Sequence, residues 1–129
     1  MTTTMNDVIQ SFHTHPMSKN TLPEGLEQAF FNSALAVYEL EIESLDYNEE
    51  TSEFGVEVSR AAIYTLGLLM YVEYLTRELS RLEKLNGFYG KDIHLTGNDA
   101  SKRVTLDDLN LEIERANEYL HKQKIHAYN

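Results

Sequence analysis

Between residues 30 and 85 the apolar side chains fall at alternating steps of four and three, the repeat of one face of an α-helix. Phe31, Leu35, Tyr38, Ile42 and Leu45 form the first stripe, widened by Phe30, Ala34 and Val37. Glu27, Glu39 and Glu43 lie off it. This predicts an amphipathic helix starting near Thr21 or Pro23. Proline suits a first helical turn, and Glu24 suits the positive end of the dipole. The polar run Asp46-Tyr-Asn-Glu-Glu-Thr-Ser52 then predicts a loop.

The second stretch is more apolar. From Ala61 to Tyr74, Glu73 is the only charge. Thr65, Leu68, Val72, Leu75, Leu79 and Leu82 keep the same rhythm, and Ile63, Leu66 and Met70 make a second stripe. A helix that is apolar nearly all round must be covered on more than one side. A central helix is therefore predicted, beginning between Thr51 and Val56 and running to about Leu85. Gly67 within it permits a close helix crossing or a slight bend. Asn86-Gly87 reads as its stop, because glycine accepts the left-handed cap conformation.

Residues 87–104 then predict a long loop, and Thr105-Leu-Asp-Asp108 opens a third helix with acids in its first turn. Its stripe is Leu106, Leu109, Ile113, Ala116 and Leu120, and Lys122 and Lys124 suit its C-terminal end. The prediction is an all-α bundle of three main helices. Residues 1–21 are expected to form a flexible tail, 22–124 one helical domain and 125–129 a short C-terminal tail. Within the first tail, Val8, Ile9 and Phe12 suggest a short amphipathic turn able to dock somewhere, a small fourth helix.

The chain of 129 residues has no cysteine, which excludes disulfides, thiolate metal sites and a thiol nucleophile. No apolar run reaches the roughly 20 residues a bilayer requires. The first residues lack the basic start and apolar stretch of a signal peptide, so a soluble, non-exported protein is expected. The formal net charge of -10 is unevenly spread. Residues 1–76 carry twelve acids and two bases, Lys19 and Arg60; residues 77–129 carry nine of each. An acidic half repels phosphate, which argues against nucleic-acid binding as the main function but suits a surface that DNA slides past.

Candidate chemistry is sparse. His13-X-His15 has a chelating spacing, but a zinc site needs three or four ligands. His94, His121 and His126 are scattered. Glu39, Glu41, Glu43 and Asp46 lack the Glu-X-X-His partners of a helical carboxylate metal site. There is no phosphate-binding glycine motif and no nucleophile elbow. No cofactor, metal or catalytic residue is expected, and the chain reads as a non-enzyme.

Association is better represented. Eight tyrosines and no tryptophan stand in 129 residues, and tyrosine offers large contact area with a polar tip. Tyr64, Tyr71 and Tyr74 on the central helix are expected to face a second copy. Lys91, Lys102 and Arg103 make a small basic spot in the 87–104 loop.

Three features together resemble the small helical head-to-tail connector, or adaptor, proteins of tailed bacteriophages. They are Tyr38-Glu-Leu-Glu41 leading into Leu45-Asp-Tyr47, the apolar run Leu66-Gly-Leu-Leu-Met-Tyr71 continuing into Tyr74-Leu-Thr-Arg-Glu78, and Lys91-Asp-Ile-His-Leu-Thr-Gly97 with Lys102 before a final amphipathic helix. The resemblance spans roughly residues 22–129 and rests on helix order, loop placement and composition.

It implies a structural virion protein of the phage neck, made in the host cytoplasm. Such proteins assemble as a homo-oligomeric ring on the portal protein and bridge it to the next neck or tail component. DNA passes nearby without being specifically bound, and no membrane is involved. Carried onto this chain, the portal-docking element is Tyr119, Leu120, Lys122, Lys124, Ile125, His126 and Tyr128. Phe88, Tyr89, Lys91, Lys102 and Arg103 contact a neighbour or the next ring. The N-terminal segment departs from the pattern. The rival reading is a small acidic helical regulator that binds and inhibits one nucleic-acid-handling partner without forming rings.

Overall fold

A computed structural model describes residues 3–15, 25–88 and 96–128, with side chains at 3–15, 25–81 and 103–124. In chain order come helix α1 (Met5–Phe12), helix α2 (Leu26–Glu41), strands β1 (Tyr47–Asn48) and β2 (Glu53–Phe54), helix α3 (Arg60–Phe88) and helix α4 (Thr96–Tyr128). The chain is mostly helical, and its two strands form one small antiparallel hairpin.

Helix α1 is short, so its ends carry much of its stability. Thr4 closes the N-terminus with a reciprocal capping box. Its hydroxyl accepts from the Asp7 amide at 3.4 Å, and the Asp7 carboxylate accepts from the Thr4 amide at 2.9 Å. Val8 and Phe12, one turn apart, are fully buried. The Phe12 ring meets Phe30 of α2 and Tyr74 of α3 edge-on, at 6.2 and 6.4 Å. The crossing with α3 is close because Gly67 lacks a side chain. A Cβ there would lie 2.6 Å from Ser11 Oγ and 3.0 Å from the Phe12 amide nitrogen.

Helix α2 starts after Gly25, whose φ of 84° is a left-handed conformation that glycine adopts without strain. Phe30, Phe31, Ala34, Leu35 and Tyr38 turn inward. Beyond the helix, Glu39 accepts a hydrogen bond from the Leu45 amide at 2.9 Å, and Ile42 and Leu45 remain buried although they are no longer helical.

The hairpin pairs Tyr47 with Phe54 and Asn48 with Glu53. Phe31 packs edge-on to the Tyr47 ring at 4.9 Å and to Phe54 at 6.0 Å. The N-terminal residues add a third edge. Thr4 bridges to Glu53, the Phe54 amide donates to the Thr3 carbonyl at 2.9 Å, and the Val58 amide donates to the Thr3 hydroxyl at 3.3 Å.

Helix α3 is the centre, as its all-round apolarity predicts. The other three helices all pack on it, and Leu66, Leu68 and Met70 are completely buried. Helix α4 runs alongside through Leu109, Glu112, Ala116 and Leu120, all buried. Among the described residues no helix is long and apolar enough to cross a membrane.

The structure corrects several boundaries. Among the described residues there are four helices, the short N-terminal one included, and residues 4–15 are a capped, packed element rather than part of a flexible tail; residues 1, 2 and 16–21 lie outside the described residues. The predicted polar loop after α2 contains the hairpin. Helix α3 continues through Asn86 and Gly87 to Phe88. These residues cost about 1 kcal/mol or less each inside a helix, and a helix already formed extends more easily than a new one nucleates. The predicted 87–104 loop is helical from Thr96 onward; 89–95 lie outside the described residues. The stretch Asp99-Ala-Ser-Lys-Arg103 tolerates helix, so Thr105 is an interior residue and not a cap. The expected C-terminal tail is helical through Tyr128.

Candidate interaction surface

Helix α4 has two flanks, and a step of 100° per residue separates them. Asn117, His121 and Lys124 face α2, while Tyr119 and Lys122 face the other way. Between the flanks, Gln123 fastens the end of α4. Its amide nitrogen donates to the Thr65 hydroxyl at 2.5 Å, and its oxygen accepts from the Tyr38 hydroxyl at 2.9 Å. Thr65 in turn donates to the Ala61 carbonyl at 2.8 Å. One side chain of α4 thus holds α3 and α2 together through satisfied polar groups. Burial pushes the Tyr38 phenol pKa up, and Glu43 adds to the shift.

On the flank away from α2 is an apolar groove of about 490 Å³ lined by Arg60, Ala61, Tyr64, Thr65, Tyr119, Lys122 and Gln123. The Tyr64 and Tyr119 rings form its wall, 5.6 Å apart. Arg60 starts α3, whose first turn is capped by the Ser59 hydroxyl accepting from the Ala62 amide at 3.1 Å. Among the described residues no carboxylate pairs with Arg60. Lys122 pairs with Glu118 at 3.0 Å, both well exposed.

Next to the groove, where α1 ends, His15 lies flat on Tyr71 at 4.8 Å and tilted against Tyr64 at 5.9 Å. Its Nε2 is buried without a hydrogen-bond partner among the described residues. Burial lowers the His15 pKa, opposed by nearby Glu112 and assisted by Arg115. Arg115 and Glu112 pair at 3.3 Å. Tyr71 is pushed up to about 12 by burial, with Asp108, Glu112 and Tyr74 adding to the shift. His13 points elsewhere, its Nε2 2.7 Å from Glu27. The His-X-His spacing is therefore not used as a chelate, and among the described residues no group of three ligating side chains forms.

On the α2 flank, Val37 lines shallow grooves of about 210 and 180 Å³ between α2 and α4. Leu40 stands further out, 85% exposed. Next to it in the chain is Glu41, whose carboxylate is 3.9 Å from Lys124; Glu43, three residues beyond Leu40, is exposed as well. Val104, Leu106, Leu111 and Ile113 of α4 are also substantially exposed.

No family model, curated protein or solved structure matches this chain. Function must be read from the surfaces themselves.

The structure distributes the predicted site residues unevenly. Tyr119 and Lys122 line the groove, Leu120 is buried, and Lys124 lies on the opposite flank. Ile125, His126 and Tyr128 belong to α4, Phe88 to α3 and Lys102 to α4, with side chains outside the described residues; Tyr89 and Lys91 lie wholly outside them. Arg103 is exposed on α4 and not in a loop.

Of the three tyrosines expected to face a second copy, only Tyr64 is exposed, at 40%. Tyr71 and Tyr74 are buried and stack on each other at 5.9 Å, which corrects that expectation. The reason is α1, which covers this face of α3. Leu40, Arg60 and Gln123 were missed. Leu40 carried a signal: it stands on the face of the first helix opposite its apolar stripe.

Proposed function

We propose that the chain is a structural assembly protein, a head-to-tail adaptor of a tailed phage neck that repeats around the portal and bridges it to the next component. The observation that supports this best is a pair of dissimilar surfaces, one beside α4 on the flank away from α2 and the other on the outer side of α2. One is an apolar groove edged by Arg60 and Lys122; the other is the exposed Leu40 followed by Glu41. Repeating head-to-tail contacts need two different patches on one subunit, whereas a two-fold dimer reuses one. The acidic first half, with no Lys or Arg from 20 to 59, suits a subunit close to passing DNA, because like charge keeps DNA from sticking.

The test is peptide mass spectrometry of purified phage particles from the source organism, with cross-linking to the portal. The chain is expected there at ring-like copy number. Its absence from particles while it is made in the cell would favour the acidic regulator, which predicts a one-to-one complex with a single partner.

A further inference from the structure

Leu40 has no task within its own chain. The inward stripe of α2 centres on Ala34 and Tyr38, and Leu40 lies on the reverse side, where folding gains nothing from a large apolar side chain. It is the most exposed large apolar side chain described. Glu41 follows it in the chain and Glu43 lies three residues on; both are exposed, and Glu41 is 3.9 Å from Lys124, a weak pair between exposed groups.

The groove beside Tyr64 and Tyr119 has the inverse character. Its floor and walls are apolar, and its rim carries Arg60 and Lys122. Arg60 is the only Lys or Arg between Asn20 and Thr76, in a stretch otherwise crowded with acids. Among the described residues it has no carboxylate partner. Lys122 shares Glu118, but both groups are so exposed that exchanging one carboxylate for another costs little. Apolar knob against apolar groove, with carboxylates against the cations Arg60 and Lys122, is complementary in both respects. Leu40 stands on the outer side of α2 and is not among the residues lining the groove.

We propose that the Leu40 edge of one copy, with Glu41 and Glu43, docks into the groove between Arg60 and Lys122 of the next copy, giving a directional contact that propagates from subunit to subunit. This rests on the adaptor reading and specifies how its subunits meet.

The chain lacks cysteine, so disulfide trapping is clean. A thiol is a small apolar group, and a bridge forms only when the two Cβ atoms come within about 4.5 Å. Full-length Leu40→Cys and Ala61→Cys proteins are each expected to form no covalent dimer under mild oxidation, to give a covalent dimer when mixed, and as a double variant to give a covalent ladder of oligomers. In a second measurement on the unlinked chain, Leu40→Ser is expected to abolish self-association in sedimentation.

Arg60→Glu with Lys122→Glu is expected to abolish the ladder in the double-cysteine background, and Glu41→Lys with Glu43→Lys to restore it. Homodimers of Leu40→Cys alone, or no mixed dimer at all, overturn the proposal. A chain found in phage particles without the mixed dimer refutes this contact and spares the adaptor reading. A chain that makes the mixed dimer but is absent from particles refutes the adaptor reading and spares the contact.

Discussion

The seam between α1 and α3 and the seam between α2 and α4 flank the same central helix and are built in opposite ways. At the first, Gly67 lets backbone approach backbone, and Val8, Phe12, Tyr71 and Tyr74 fill the space completely. At the second, α2 and α4 meet sparingly, Val37 and Ile113 stay more than a third exposed, and two shallow grooves remain. An eight-residue helix can hold a core position when its cap and its fit are good. A sixteen-residue helix can leave its outer side for other uses. Length and burial are separate properties, and the shorter element is the better sealed.

The strongest way to break this comparison is Phe12→Ala. Removing a fully buried ring that touches two other helices is expected to cost about 3–5 kcal/mol, read as a lower denaturant midpoint. Next is Gly67→Ala. The added methyl meets the α1 backbone, so overpacking of about 1–3 kcal/mol outweighs the gain of about 1 kcal/mol in helix propensity. A more stable Gly67→Ala protein would mean that α1 does not sit where the structure puts it.

The pH response should be smaller. Burial lowers the pKa of His15, so the folded chain resists its protonation. The sign follows: the contribution of neutral His15 is complete above the unfolded value near 6.5 and drains away as pH falls through the lower folded value. Around the ring stand Tyr64 and Tyr71 of α3 and Glu112 and Arg115 of α4. The difference in thermal midpoint between the native chain and His15→Gln should shrink from about pH 7.5 to about pH 5. A constant difference would remove His15 as the titrating group. The smallest effect on folding belongs to Leu40→Ser, expected within about 0.5 kcal/mol. That near-neutrality separates a surface kept for contact from one kept for stability.

Much of the architecture was legible from apolar spacing. The stripes of α2 and α3 are long enough that periodicity outweighs local preference, and the all-round apolarity of α3 correctly required neighbours on several sides. Gly67 was readable as a close-crossing residue. What escaped has physical causes. Helix α1 was legible only as a short amphipathic turn, because Val8, Ile9 and Phe12 make a brief stripe; that it is a capped core element was not read, although Thr4-X-X-Asp7 is a capping signal. The hairpin lacks an Asn-Gly turn; it uses Asp46 and Ser52 in left-handed conformations, at φ 51° and 58°, and its Tyr47–Phe54 pair is meaningful only once Phe31 lies beneath it. The start of α4 escaped because Thr105 has the appearance of a cap and the preceding stretch has no apolar rhythm. The groove was least legible, since Arg60, Tyr64, Tyr119 and Lys122 come together only when α3 and α4 align.

The hydrogen bond from Tyr38 to Gln123 spans 85 residues. Synthesis proceeds from the N-terminus at about 5–20 residues per second, so Tyr38 emerges seconds before its partner exists. Throughout that interval the apolar side of α3 that α4 will cover stays open to water and to other nascent chains. The protein should therefore be most prone to aggregate while still being made, and slowing translation after α3 should lower its soluble yield even though the finished fold is unchanged.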